Sequence, residues 1–161
     1  MNPVYYSTLE TPLGLLRIFA DDDLISEITF SEKESPGSME NHLTALAKDQ
    51  LKKYFAGTLR NFTLPIKQPG TVFQQEVWEA LHTIDYAATV SYAKFSVHKP
   101  LAIRAIAAAN GKNKIAIVIP CHRVIGSDGK LVGYAGGLWR KKWLLQHERD
   151  VAQKGQTELK F

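Results

Sequence analysis

Ile115-Ala116-Ile117-Val118-Ile119-Pro120-Cys121-His122-Arg123-Val124 is a β-branched, apolar run that stops at a proline and opens onto a cysteine, a histidine and an arginine. The run predicts a buried strand over residues 115–119, and Pro120 marks where the strand gives way to a loop. A strand end suits a nucleophile, because the strand fixes the backbone while the loop leaves access. Cys121 is the one cysteine among 161 residues, which excludes an internal disulfide and any multi-cysteine zinc site. A lone cysteine is most often a small buried hydrophobe. Beside His122 it is also a candidate nucleophile, since a free thiol with a pKa near ~8.5 needs a base or cation to become thiolate at neutral pH. His122 can act as that base, directly or through a water, if a carboxylate orients its other nitrogen. Glu148 and Asp150 are the downstream candidates. Glu148 falls at the expected end of a helix, where an acid opposes the dipole, and that placement favours a specific partner for it.

Working outward, Tyr134-Ala135-Gly136-Gly137 reads as a flexible link after the turn signal Ser127-Asp128-Gly129, and residues 138–148 as a closing helix. Upstream, residues 91–97 and 101–110 predict two short helices divided by Lys99-Pro100, the outline of a helix-turn-helix. Ala102, Ala105, Ala108 and Ala109 would let the second helix approach a DNA groove or a neighbouring helix closely. Thr71 is a predicted N-cap for a helix carrying Phe73, Val77, Trp78 and Leu81 on one face and ending near Ile84. Before Pro69-Gly70 the pattern changes. Residues 4–6, 15–20 and 24–30 are short apolar runs separated by Pro12-Leu13-Gly14 and Asp21-Asp22-Asp23, which predicts a small antiparallel meander. Residues 31–37 form a polar loop. Residues 39–55 carry Leu43, Leu46, Leu51 and Phe55 near helical spacing, with Gly57 as the stop, and residues 62–66 predict one more strand. The expected division is therefore a supporting domain over residues 1–69 and a second domain over residues 70–161.

Composition is that of an ordinary soluble globular chain, with 45% hydrophobic and 22% charged residues. No apolar run is long enough for a bilayer, and the first ten residues lack a signal-peptide pattern. With a free thiol, this points to the cytoplasm. The net charge of +4 is unevenly placed. Residues 1–69 carry seven Lys/Arg against nine Asp/Glu, or −2, and residues 70–161 carry thirteen against seven, or +6. A basic second half suits a polyanionic partner, although a solvated surface accounts for it equally well.

The residues around Cys121 also form a recognisable signature. Residues 119–124, Ile-Pro-Cys-His-Arg-Val, resemble the active-site motif of the O6-alkylguanine-DNA alkyltransferases, or methylated-DNA–protein-cysteine methyltransferases. Gly70-Thr71-x-Phe73-Gln74-x-x-Val77-Trp78-x-Ala80-Leu81 is similar to that family's opening helix, and Thr89-Val90-Ser91-Tyr92 to the stretch entering its helix-turn-helix. Tyr134-x-Gly136-Gly137-Leu138 and Trp143-Leu144-Leu145-x-His147-Glu148 match its closing segment in order and spacing. The resemblance is dense over residues 70–148 and extends through Thr11-Pro12-Leu13-Gly14.

The resemblance implies an α+β protein. It would have a small ribonuclease H-like α/β N-terminal domain and a mainly helical, winged helix-turn-helix-like C-terminal domain carrying the site. It implies single-turnover transfer of an alkyl group from O6-alkylguanine, and from O4-alkylthymine, in double-stranded DNA to Cys121. No cofactor or metal is expected, and the protein would be a monomer reaching the minor groove through its helix-turn-helix. His122 would take the thiol proton through a water, held by Glu148, while Asn113 braces the recognition helix against the active-site loop. Arg104 would fill the gap left by the flipped nucleotide, Tyr92 would turn the target phosphate and bond the base, and Ala105 and Arg123 would join the DNA contact. Val124, Tyr134, Ala135 and Gly136 would line the base pocket. The chain departs from the family at Ile84-Asp85-Tyr86-Ala87-Ala88, which lacks the usual Pro and Gly, and at Ala135, which is serine in some relatives. Competing readings are a non-catalytic damage-binding protein, a helix-turn-helix regulator and a cysteine hydrolase. Cys121 argues against the first, and the second leaves the Cys-His-Arg loop unexplained. The third requires an oxyanion hole for which no motif is visible.

Overall fold

In the computed structural model, residues 4–32 and 37–158 are described, with side chains up to Lys154. The middle of the polar loop expected over residues 31–37 and the last three residues of the chain lie outside them. The chain divides into two compact units, Met1–Pro69 with Lys114–Val118, and Gly70–Asn113 with Ile119–Phe161. The second unit is thus interrupted by a short excursion into the first, which the expected boundary at residue 69 did not foresee.

The first unit is built on the expected meander of β1 (Tyr5–Thr11), β2 (Gly14–Ala20) and β3 (Ile25–Ser31), all antiparallel. Leu16, Ile18 and Ala20 alternate inward along β2, the period of a sheet with one covered face. Helix α1 (His42–Ala56) supplies the cover. Its Asn41 cap and Thr44 form a capping box, and Gly57 closes it in the left-handed region at φ 81°. The buried face of α1 is Leu43, Ala47, Leu51 and Tyr54, whereas Leu46 is exposed. Residues 62–66 do not form the expected strand, because only Ile66 pairs, in a single parallel bridge with Ile25.

Residues 115–119 are not a regular strand either. Ile115 makes one parallel bridge to Ile28, whose amide donates to the Lys114 carbonyl. Ile117 then turns to φ 71°, and the Val118 amide donates to the Ala116 carbonyl two residues back. This is the tight three-residue turn that is rare because it is strained, here at a β-branched residue. A second such turn, of the unstrained hand, follows at Pro120 (φ −80°, ψ 58°), where the Cys121 amide donates to the Ile119 carbonyl. The apolar run is buried as expected, but two tight turns replace the extended backbone.

In the second unit, α2 (Val72–Leu81) starts at Thr71 with a Thr71–Gln74 capping box. Trp78 on α2 donates its indole N–H to the Ala109 carbonyl at 2.8 Å, tying α2 to α4 (Ile103–Gly111). Gly70 is required by this packing, since a Cβ there would lie 2.6 Å from the Trp78 ring. Between them, α3 (Tyr92–Phe95) is capped by Ser91, and a single 3-10 turn at Pro100–Ala102 leads into α4. Val77, Ile106 and Ala109 form the apolar contact, flanked by Phe73 and Phe95. Two short strands, β4 (Val90–Ser91) and β5 (Val124–Ile125), pair in parallel. The 127–129 turn is present, and Val124 pairs with Val90. Helix α5 (Leu138–Glu158) runs ten residues beyond its expected end.

The segment lacking the usual Pro and Gly is turned by Ala87, which adopts φ 64°. An alanine pays a steric cost for a left-handed backbone that glycine avoids. Ala87→Gly should therefore stabilise the protein by about 0.5–1 kcal/mol, read as a rise of a few degrees in Tm by thermal unfolding.

Candidate active site

Cys121 opens a 3-10 turn (Cys121–Arg123) in which all three side chains are buried. Its Sγ receives a hydrogen bond from Asn113 Nδ2 at 3.4 Å, and the same nitrogen reaches the Ile119 carbonyl at 3.3 Å. Asn113 follows α4 directly, so one side chain connects the end of that helix to the backbone and the sulfur of the Cys121 loop. Burial pushes the thiol pKa up, with the Asn113 bond and the Lys141 charge opposing it. At neutral pH the resting sulfur is a protonated thiol.

His122 and Glu148 are fully buried and meet at 2.7 Å between Nε2 and Oε2. The rest of the carboxylate is also occupied. Arg123 Nε donates to Oε1 at 2.8 Å and Nη2 to Oε2 at 3.1 Å, and the Ala87 amide donates to Oε1 at 3.1 Å. Arg123 Nη1 donates to the Ile84 carbonyl. Burial alone would raise the Glu148 pKa, but the His122 and Arg123 bonds and charges outweigh it and hold the carboxyl well below its usual range. Burial lowers the His122 pKa, helped by the charges of Arg123 and Lys141 and opposed by Glu148. The ring is therefore neutral, with its proton on Nε2 facing the carboxylate. Nδ1 is left as a bare acceptor, buried and without a hydrogen-bond partner in the protein.

A cavity of about 440 Å³ opens over Cys121, lined also by Tyr92, Asn110, Gly133, Tyr134 and Ala135. That volume is in the range of small-molecule sites. One wall is held by Lys141, which is buried on α5 and donates from Nζ to the carbonyls of Val124 (2.5 Å), Val132 (2.8 Å) and Gly133 (3.3 Å). Burial lowers its pKa to about 8. Burial also raises the Tyr134 pKa well above its usual value, keeping that hydroxyl protonated.

Of the residues singled out from sequence, Cys121, His122, Asn113 and Glu148 come together in one buried cluster, and Tyr92, Tyr134 and Ala135 share the cavity with Cys121. The Val124 carbonyl is held by Lys141, and the Gly136 carbonyl accepts from Arg140. Arg104 and Ala105 lie on the exposed face of α4. Two expectations change. Arg123 does not face outward toward DNA, because both edges of its guanidinium are spent on Glu148 and Ile84. Glu148 is not at a helix end, since α5 continues past it, and no dipole penalty applies. Asp150 bonds Gln146 on the exposed side of α5 and takes no part. Lys141 was missed from sequence, as was Asn110, whose amide donates to the Tyr92 hydroxyl at 2.6 Å.

Comparison with known proteins identifies the family over most of the chain. Residues 72–150 match the DNA-binding domain model of 6-O-methylguanine DNA methyltransferase, and residues 4–68 match its ribonuclease-like domain. The chain belongs to this family. Family members carry out DNA repair by alkyl transfer to a cysteine. The constitutive methylated-DNA–protein-cysteine methyltransferase of Bacillus subtilis is 45% identical over 157 residues, covering 90% of this chain and 95% of that protein. The crystal structure of Mycobacterium tuberculosis O6-methylguanine methyltransferase superposes with a TM-score of 0.82 at 40% identity, covering 92% of this chain and 94% of that one. A structure of Mycobacterium tuberculosis OGT in complex with DNA has the same TM-score at 41% identity, covering 91% and 93%. This methyltransferase therefore has the two-part architecture of its family, a ribonuclease-like domain followed by a DNA-binding domain. No helix among its described residues is long and apolar enough to cross a membrane.

Glu148→Gln leaves Arg123 buried beside a neutral group and should cost about 3 kcal/mol or more in urea unfolding at pH 7. An unfolded Glu148 binds a proton before the folded one does, so its contribution is complete at neutral pH and is lost as pH falls through the acid range. Wild-type stability should drop steeply below about pH 4.3, while the variant's profile stays flatter. Lys141→Met strips three carbonyls of their shared donor and should lower stability by about 1–3 kcal/mol in the same assay.

Proposed function

We propose that Cys121 is the alkyl acceptor, receiving the group from O6-alkylguanine in double-stranded DNA in one irreversible event. The observation that carries this reading is the buried cluster in which Asn113 bonds the Cys121 sulfur while Glu148 holds its neighbour His122 with Nδ1 free to accept a proton. A base in the stack is out of reach of a buried thiol, so the damaged nucleotide must rotate out into the cavity over Cys121. Exposed Arg104 and the small Ala105 beside it suit the face of α4 that enters the minor groove.

The thiol proton passes to His122 Nδ1 through a bridging water, and Glu148 stabilises the imidazolium that forms. The Cys121 sulfur then attacks the alkyl carbon. An S–C bond forms as the C–O6 bond breaks, and guanine leaves with the electron pair and takes up at N1 the proton that the thiol gave to His122. Donors facing the departing base stabilise its developing charge. The backbone amides near Tyr134 and Ala135 and the Tyr92 hydroxyl, from residues that line the cavity, would take that role. A thioether has no route to hydrolysis in this site, so each molecule acts once.

Incubation with a duplex containing O6-methylguanine should add one methyl group to the intact mass, located on Cys121 by peptide mapping. Cys121→Ala should remain unmodified while still binding the duplex. An unmodified wild-type protein that binds damaged DNA would replace this reading with a non-catalytic one.

A further inference from the structure

The second unit has a cavity that shares no lining residue with the one over Cys121. It measures about 200 Å³, and its apolar walls are Phe73 and Val77 on α2, Phe95 on α3 and Ile106 on the buried face of α4. Glu76 and Lys99 stand exposed at its rim and pair at 3.4 Å, with the ammonium 5.7 Å from the centre of the Phe73 ring. The buried polar member of the lining is Ser96, 2% exposed, whose Oγ has no hydrogen-bond partner in the protein. Its backbone is fully engaged. The amide donates to the Tyr92 carbonyl at 2.9 Å, and the carbonyl accepts from the Lys99 amide at 2.8 Å. A serine in a helical turn commonly bonds its hydroxyl to a carbonyl one turn back. Left idle among apolar walls, the hydroxyl costs free energy that a hydrogen-bonding occupant of the cavity would offset.

We propose that this cavity is a binding site for a small aromatic molecule bearing a single hydroxyl or ring N–H, such as a phenol or an indole. Size, shape and polarity agree. An apolar cavity of ~150 Å³ holds benzene, and this one leaves room for a substituent. Phe73 and Phe95 offer ring surfaces to a flat occupant. Ser96 can donate to, or accept from, its one polar group. A nucleobase or a sugar carries several polar atoms around its ring, and burying them against these walls without partners is too costly. The site lies apart from Cys121, and ligand binding there is separate from alkyl transfer. Because α2, α3 and α4 all contribute walls, an occupant braces the helix pair from behind the exposed face that carries Arg104 and Ala105.

Phenol and toluene are matched probes, nearly equal in shape and differing in the hydroxyl. Titration of isotope-labelled protein followed by NMR should show saturable phenol binding with Kd about 0.1–1 mM. The shifts should centre on the amides of Val77, Phe95, Ser96 and Ile106. Ser96→Ala should fold with an unchanged or higher Tm, since the hydroxyl has no bond to lose, and should weaken phenol about fivefold relative to toluene. Ala80→Leu, at an exposed position of the lining, should fill the cavity and abolish binding of both probes. Absence of saturable phenol binding to the wild-type protein would overturn the proposal. So would an unchanged phenol-to-toluene ratio in Ser96→Ala, or undiminished binding in Ala80→Leu, which would place the probe elsewhere. A marked fall in the Tm of Ser96→Ala would show that the hydroxyl is already bonded within the protein, and would overturn it as well.

Discussion

The carboxylate of Glu148 is a full charge with no exposure to solvent, and the site depends on how it is satisfied. A buried carboxylate is tolerable only when its lone pairs are filled with good geometry. Here the donors come from His122, the Nε and Nη2 of Arg123 and the amide of Ala87. One side chain of α5 thus fixes the Cys121 loop and the turn that leads into β4. It also sets the His122 tautomer, because a neutral ring that gives its proton to Glu148 has only Nδ1 left as a base.

The same helix face does a second job. Lys141, Leu144, Leu145 and Glu148 are all buried, spaced as i, i+3, i+4 and i+7 on two turns of α5. The stripe has leucines at its centre and opposite charges at its ends. The lysine holds the cavity wall through three carbonyls, and the glutamate holds the base. Both charges are spent on neighbouring loops, so α5 acts as a splint for segments that have little regular structure of their own.

Legibility in the sequence followed the reach of each signal. Local rules worked well: Thr71 and Ser91 cap the predicted helices, and Gly57 ends α1 in the left-handed region. The Cys-His-carboxylate cluster was readable because the motif names two members, position left Glu148 and Asp150 as candidates for the third, and the resemblance of the closing segment chose Glu148. Lys141 was not, because a lysine beside Arg140 and Lys142 looks like a solvated face, and only tertiary contacts reveal carbonyls converging on its ammonium. Arg123 failed in the opposite way, being assigned to the DNA contact through the resemblance while its partners lay 25 and 39 residues away. Residues 115–119 show the limit of periodicity. Burial was correctly inferred from β-branched composition, but a left-handed Ile117 cannot be anticipated from a residue type that avoids that region. The role of Ala87 was likewise hidden by its being alanine where glycine is the natural choice.

The excursion of residues 114–118 into the first unit bears on how this chain can be cut. Two domains joined by a single tether can be separated by cleaving it, and each half keeps its own interior. Here the polypeptide crosses three times, at 69–70, at 113–114 and at 118–119. A fragment beginning at Gly70 would carry Ile115 without Ile28, its bridge partner, as an apolar stretch immediately ahead of Cys121. The N-terminal unit is therefore not a detachable accessory. A cut near residue 69 would leave residues 114–118 covalently in the C-terminal fragment, severed from the rest of the unit to which they belong.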